Sequence, residues 1–299
     1  MNLIQLETFV RVAELGSFSK AATLVGTVQS ALSRQVRQLE TDLRVTLLER
    51  TGRGVVLTEE GKRLFEHSVG ILQLVARARE AVQAGRDEPA GRIVVGLPPS
   101  VGRELTLPLV EFFETELPNA RLAIVEGLST HIAEWIATGR VDVGLLHNPE
   151  PQEAIETEPL RNEPLVLVSR AARGARSRSA LPFSELPEFP LVIPDRTHAV
   201  RRLLEAQAAA AGVKLNVAWE ISSVNAIVAM VCSGRGHAVL SRMAVAAEVG
   251  EGVLVTRPLG EPPLVNLLCM ARSATKRATP LQRQVMRRLR ELFAAKVGR

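Results

Sequence analysis

The hydrophobic period of the chain changes once, near residue 92, and no other feature limits the possible folds so strongly. Before it, apolar residues recur at helical spacing; after it, short continuous apolar runs alternate with helical stretches. Leu6, Phe9, Val10 and Ala13 mark one face of a first helix. Gly16 ends it, and Ser17 or Ser19 caps a second helix that starts at Lys20-Ala21-Ala22 and breaks at Gly26. A third helix is predicted from about Gln29 to Leu43, where Leu32, Val36, Leu39 and Leu43 are spaced 4, 3 and 4 apart. Gly52 and Gly54 then flank Arg53 between apolar residues, the pattern of a hairpin tip.

The third helix divides into two faces of different chemistry. One anchors it in a small core. The other carries Gln29, Ser33, Arg34 and Arg37. Gln bonds adenine bidentately, Arg bonds guanine bidentately, and both reach phosphates. A helix, a short turn and a second helix led by such groups is the layout that places a recognition helix in the major groove. An Arg at a hairpin tip suits a narrow, electronegative minor groove. Periodicity alone leaves open a small helical domain with a solvated polar face and a plain surface hairpin.

Charge narrows the reading less than the pI suggests. The net charge is +5, but residues 272–299 hold nine Lys/Arg against one Asp/Glu. That C-terminal excess reads as the solvated face of a basic helix, so DNA binding rests on residues and not on the total. The longest apolar run is seven residues, Ala226 to Cys232, against about 20 for a bilayer span. Glu7, Arg11 and Glu14 interrupt any secretory apolar region, and a cytoplasmic location is expected. Cys232 and Cys269 are expected as reduced, buried thiols; neither a metal nor a cofactor is implied.

Thr58 caps a long helix predicted over 59–86, roughly 40 Å long. Leu64, Ser68, Ile71, Val75, Ala78 and Val82 form a coiled-coil-like seam, which either pairs two chains or packs on its own. Ala84 to Gly91 reads as a hinge linker. Beyond it, runs at 93–97, 122–125, 141–146, 165–169, 191–193, 217–221, 237–240 and 265–270 alternate with helices, indicating βαβ units on a parallel sheet. Such sheets bind ligands beyond their strand ends. Three of these ends lead into helix starts with small polar groups, at Ser100, at Ser129-Thr130 and at Thr197-His198, where free N–H groups favour an anion.

Four motifs in order carry a specific resemblance: Phe18-Ser19-Lys20-Ala21-Ala22, Gln29 through Glu40, Leu47-Leu48-Glu49-Arg50, and Leu57-Thr58-Glu59-Glu60-Gly61. Together they resemble the winged helix-turn-helix of LysR-type transcriptional regulators. The family's usual Pro after the opening Gln is Ser30 here, which keeps a first-turn position and adds a hydroxyl for a phosphate. Residues 191–198 and 221–236 resemble the family's second half. The resemblance implies an α/β multidomain chain: a winged helix-turn-helix over 1–58, a dimerising linker helix and hinge over 59–91, and a periplasmic-binding-protein-like (Rossmann-like) effector domain. Its first lobe would comprise 92–160 with 269–299 and its second 161–268, joined by crossing strands near 160 and 266. It implies Gln29, Ser33 and Arg34 as base or groove contacts, Thr27, Ser30 and Arg37 at phosphates, and Arg53 as the wing contact. Ser100, Val101, Ser129, Thr130, His147, Thr197 and His198 would line an inter-lobe cleft for a small-molecule effector. The implied partners are double-stranded DNA, the effector and further copies of the chain, as a homodimer through the linker helix and then a homotetramer.

Two other classes compete. An enzyme is disfavoured: there is no nucleophile elbow, phosphate loop or His-Glu zinc motif, and Gly234-Arg235-Gly236 lacks the third glycine of a dinucleotide fingerprint. A solute-binding protein explains residues 92–299 but not the module before them. A DNA-binding regulator with an unused pocket also stays open.

Overall fold

The computed structural model describes the chain apart from residues 53, 84–88, 172–178, 261–262 and 295–299. The chain opens with α1 (Leu3–Leu15), α2 (Phe18–Val25) and α3 (Gln29–Leu43), followed by β1 (Leu48–Thr51) and β2 (Gly54–Leu57). Asn2 and Gln5 form a reciprocal capping box at the start of α1, with bonds of 2.9 and 2.8 Å. Ser17 caps α2, accepting from the Lys20 N–H at 3.3 Å. Leu32, Val36 and Leu39 of α3 are buried against Phe9, Val12 and Ala21. The Glu40 carboxylate accepts from the N–H groups of Leu47 and Leu48 at 2.8 and 3.2 Å, fixing α3 to the hairpin.

The hairpin in turn docks on the end of α1. Val55 N–H donates to the Gly16 carbonyl at 2.9 Å. A Cβ on Gly54 would stand 2.3 Å from that oxygen, and its φ is +142°. Both facts require glycine there.

Next comes α4 (Glu59–Gln83), capped by Thr58, whose hydroxyl accepts from Gly61 N–H at 2.9 Å. Glu59 and Glu60 lie in its first turn, favoured by the helix dipole. The expected seam is divided among neighbours. Leu64 packs on the N-terminal core, together with Phe65, Val69 and Leu72. Ser68 is fully buried and donates to the Leu64 carbonyl. Ile71 and Ala78 are exposed, as is Leu74 beside them. The division arises because α4 lies against α1 at one end and against the C-terminal half of its own chain further on.

That half contains, in order, β3 (Gly91–Leu97), α5 (Pro99–Glu116), β4 (Ala120–Glu126), α6 (Ser129–Thr138), β5 (Val143–His147) and β6 (Ile155–Arg170). Then follow β7 (Leu191–Ile193), α7 (Ala199–Ala210), β8 (Val217–Glu220), α8 (Val224–Cys232), β9 (Ala238–Ser241), α9 (Ala246–Gly250), β10 (Leu254–Pro258), β11 (Val265–Ser273) and α10 (Pro280–Ala294). Among the described residues one sheet runs β10-β6-β11-β5-β3-β4, with β9 also on β6, and β7 pairs with β8 separately. The expectation of a parallel sheet holds only in part. β3 is parallel to β4 and β5, and β7 to β8. β11 is antiparallel to both β5 and β6, and β6 to β9 and β10. A chain that enters the second lobe on β6 and returns beside it on β11 must run the two in opposite directions.

The lobes have separate cores. In the first, α5, β3 and β5 pack with Leu268 and Met270 of β11 and with Leu281, Val285, Leu289 and Phe293 of α10. In the second, β6 alternates its side chains: Val166 and Val168 face α8, while Leu165 and Leu167 face β7 and α7. The helix start expected at Ser100 comes one residue earlier, at Pro99, a residue suited to a first helical turn. Of the expected hinge, 84–88 lie outside the described residues and Gly91 already begins β3. Among the described residues no helix is long and apolar enough to cross a membrane.

Candidate functional site

Two surfaces collect the chemistry. On the first, Thr27, Gln29, Ser30, Arg34 and Arg37 are exposed and Ser33 is half-buried, all at or near the start of α3. The burial of Leu32, Val36 and Leu39 fixes which way the others point. The Arg34 and Arg37 side chains form no ion pair among the described residues, which leaves two guanidiniums available to a polyanion. Val28 is the N-cap of α3 and contributes no side-chain hydrogen bond to it. The β1–β2 hairpin, tied to α3 through Glu40, forms the wing, with Leu48 paired to Leu57 and Thr51 to Gly54. The expected wing contact, Arg53, lies outside the described residues. Arg50, which sequence reasoning did not single out, lies over the Phe18 ring at 5.8 Å and ties the wing to α2.

The second surface lies between the lobes. A cavity of about 170 Å³ is lined by Ser129 and Thr130 at the start of α6, His147 and Asn148 at the end of β5, Thr157 of β6, and Arg202 of α7. An apolar cavity of about 150 Å³ holds benzene, so this one suits a ligand of similar bulk. Ser129 Oγ accepts from the His147 N–H at 2.8 Å, clamping the helix start to the strand end. His147 Nε2 lies 3.2 Å from Glu163 Oε2, both side chains being buried. The second oxygen, Glu163 Oε1, is buried without a partner. Asn148 donates to Asn266 at 2.7 Å and accepts from Leu267 N–H at 2.8 Å, joining this corner to the returning strand.

Across the cleft, His198 caps α7, its Nδ1 accepting from the Val200 N–H at 3.2 Å. Burial above all, then the neighbouring His147 and Arg202, bring its pKa down to about 4 against the opposite pull of the Asp195 carboxylate. Thr197 is exposed, and both its N–H and its hydroxyl donate to Asp195. Ser100 is half-buried at the start of α5 and is not among the residues lining the cavity. Val101 departs from the expectation outright: it is fully buried in the first lobe's core, because the first turn of α5 directs it toward Leu97 and Leu105. The sequence reading missed Arg202, Thr157, Glu163 and Asn148. Arg202 stands four residues after His198, a helical spacing that could have revealed it.

Cys232 is half-buried and Cys269 buried, and burial pushes both thiols up, which makes them poor nucleophiles. Among the described residues no group of three or more His, Cys, Asp or Glu could hold a metal ion.

The family model for the LysR substrate binding domain matches residues 86–294, and the model for the bacterial regulatory helix-turn-helix protein of the lysR family matches residues 3–62. The chain belongs to the LysR family. It is therefore a DNA-binding transcription regulator with a substrate-binding domain. Relatives include the nitrogen assimilation regulatory protein nac of Klebsiella aerogenes, 31% identical over 82% of this chain and 79% of the relative. The uncharacterized HTH-type transcriptional regulator YvbU of Bacillus subtilis is 27% identical over 99% of this chain and the whole of that one. These LysR relatives are regulators, not enzymes. A full-length OxyR variant from Pseudomonas aeruginosa superposes with a TM-score of 0.70 at 26% identity, covering 98% of this chain and 94% of that one. CbnR complexed with its target DNA has the same fold, with a TM-score of 0.71 at 21% identity, covering 97% and 99%.

Proposed function

We propose that the chain reads a specific DNA sequence as a dimer paired through α4, and that a small organic anion bound between the lobes sets its activity. Dimers would pair again through the C-terminal halves into tetramers. The observation that carries the DNA reading is the exposed face of α3, where Gln29, Ser33 and Arg34 present bidentate groups and Arg37 a phosphate contact. Thr27 and Ser30 offer hydroxyls to the backbone of the duplex, and Arg53 is the wing contact in this reading. The anion is supported by the N-terminus of α6 and the Arg202 guanidinium, which converge on the cavity and face the carboxylate that also lines it, Glu150. A larger groove of about 510 Å³ between α1, α2 and α3, where the exposed Ile4, Leu24 and Val25 stand beside Glu7, Arg11 and Gln35, lies in the N-terminal domain and not between the lobes. Ser129, Thr130 and His147 line the effector site in this reading; Thr197 and His198, just ahead of α7, and Ser100 are outside the cavity lining and are proposed as further contacts of a bound effector.

Fluorescence anisotropy tests the first part, with the DNA upstream of the chain's own coding region against a random duplex across a salt series. Arg34→Ala should cost about 1–3 kcal/mol of discrimination. Arg37→Ala should weaken both duplexes alike and lower the salt slope by about one. Equal losses on both duplexes for Arg34→Ala would remove its base-reading role. Thermal melts against a panel of small carboxylic acids test the second part: one acid should raise the melting temperature, and Arg202→Ala should abolish the rise.

A further inference from the structure

The two ends of α6 do different things. Its N-terminus, Ser129-Thr130, lines the inter-lobe cavity. Its C-terminus is docked on α4. A Cβ on Gly70 of α4 would stand 2.2 Å from the Thr138 carbonyl oxygen, so the two helices touch backbone to backbone. One turn on, the Gln73 side-chain amide, oriented to donate, bonds the carbonyl oxygens of Arg140 at 2.9 Å and Gly139 at 3.1 Å. The carbonyl of the α6 C-cap, Gly139, and that of the next residue are thus met by a side chain of the linker helix. The Arg140 guanidinium stacks on Trp135 at 4.4 Å, and Trp135 on His131 at 6.1 Å, which stiffens the face between the two ends.

We infer that α6 is the mechanical link between effector site and DNA-reading domain, with Gly70 and Gln73 as the positioning residues that couple it to α4. The inference rests on the cavity being the effector site and on α3 being the DNA reader. Ten residues of helix span about 15 Å, and a helix moves as a rod over that distance. A ligand that draws Ser129 and Thr130 toward Arg202 displaces the Thr138 end against α4. Because α4 grows directly out of the wing through Thr58, that displacement changes how the two α3 helices of a dimer are presented. The contact is steep: backbone abutting backbone gives way in steps, not gradually.

Coupling of this kind is reciprocal, so it can be read without knowing the effector. The probe is a duplex selected by the full-length chain from a random library, and the readout is amide hydrogen exchange at residues 129–133. DNA binding should change exchange there by about fivefold or more, the lower range of measured couplings. Gln73→Ala should abolish that change while leaving the affinity for the duplex unaltered. Gly70→Ala should do the same by forcing the helices apart, and Gln73→Ala covers the case in which it fails to fold. No change in the wild type, or an undiminished change in Gln73→Ala, overturns the inference. Failure to select any duplex would instead count against the DNA reading itself.

Discussion

Val28 begins the recognition helix without a side-chain oxygen, and its side chain is 65% exposed. Ser, Thr, Asp and Asn are the favoured N-cap residues because they accept from the first free N–H groups. Val28→Ser should therefore stabilise the chain by about 1 kcal/mol, seen as a higher urea midpoint with an unchanged slope. His198 makes the opposite kind of statement. Its folded pKa of about 4 lies below the usual 6.5, so between those values the unfolded chain binds the extra proton. Stability then rises with pH through that window and is fully present above about 6.5. The proton would also take the Nδ1 acceptor that caps α7. His198→Asn keeps an acceptor without the titration, so melting temperature measured from pH 4 to 7 should rise less steeply than in the wild type.

At the scale of elements, α10 shows which part of a charged helix holds it in place. Leu281, Val285 and Leu289 are buried in the first lobe. Arg290 forms a bidentate pair with Glu158 at 2.8 Å, but both side chains are nearly half exposed. Leu289→Ala should cost about 2–5 kcal/mol and Arg290→Ala less than about 1, compared by urea denaturation. The described part of α10 is thus a basic outer face, ion-paired at Arg287, Arg288 and Arg290, over an apolar stripe. Its helix was legible in the sequence because its spacing is local, whereas its partner Glu158 was not. The same division runs through the molecule. The three N-terminal helices and hairpin could be read from Leu32, Val36, Leu39 and the glycines, since every signal lies within a turn or two. The antiparallel place of β11 between β5 and β6 could not, because it pairs residues such as Val265 and Pro164 across about a hundred positions. Strand β10 escaped notice because Thr256 and Arg257 break its apolar run. The cavity was half visible: Ser129 and Thr130 are announced by a helix start, but Arg202 joins only when the lobes assemble.

At the scale of the whole molecule, α4 packs Leu64, Phe65, Val69 and Leu72 within one chain and, among the described residues, leaves Ile71 and Leu74 exposed at 38% and 47%. A partner helix is the occupant the proposed dimer supplies. The double change Ile71→Glu and Leu74→Glu should convert dimers to monomers in sedimentation. It should also weaken binding to a two-half-site duplex by about 10²-fold or more through lost bivalency, with single half-site binding preserved. Two lobes tied by β6 and β11 are also pinned at a second place, where Arg103 of α5 meets Glu248 of α9, so movement between them is a rotation about defined contacts.

The route of the chain through those lobes has a consequence for synthesis. The first lobe's core draws on residues near both ends of the C-terminal half, from Ile93 to Phe293, while the second lobe's core lies wholly between them. A nascent chain emerging N-terminus first, and folding by units as it does so, completes the DNA reader first. The inner lobe closes next. The outer lobe waits for the last helix to leave the ribosome, so a chain truncated before α10 would present a folded DNA-binding domain beside an unfinished first lobe.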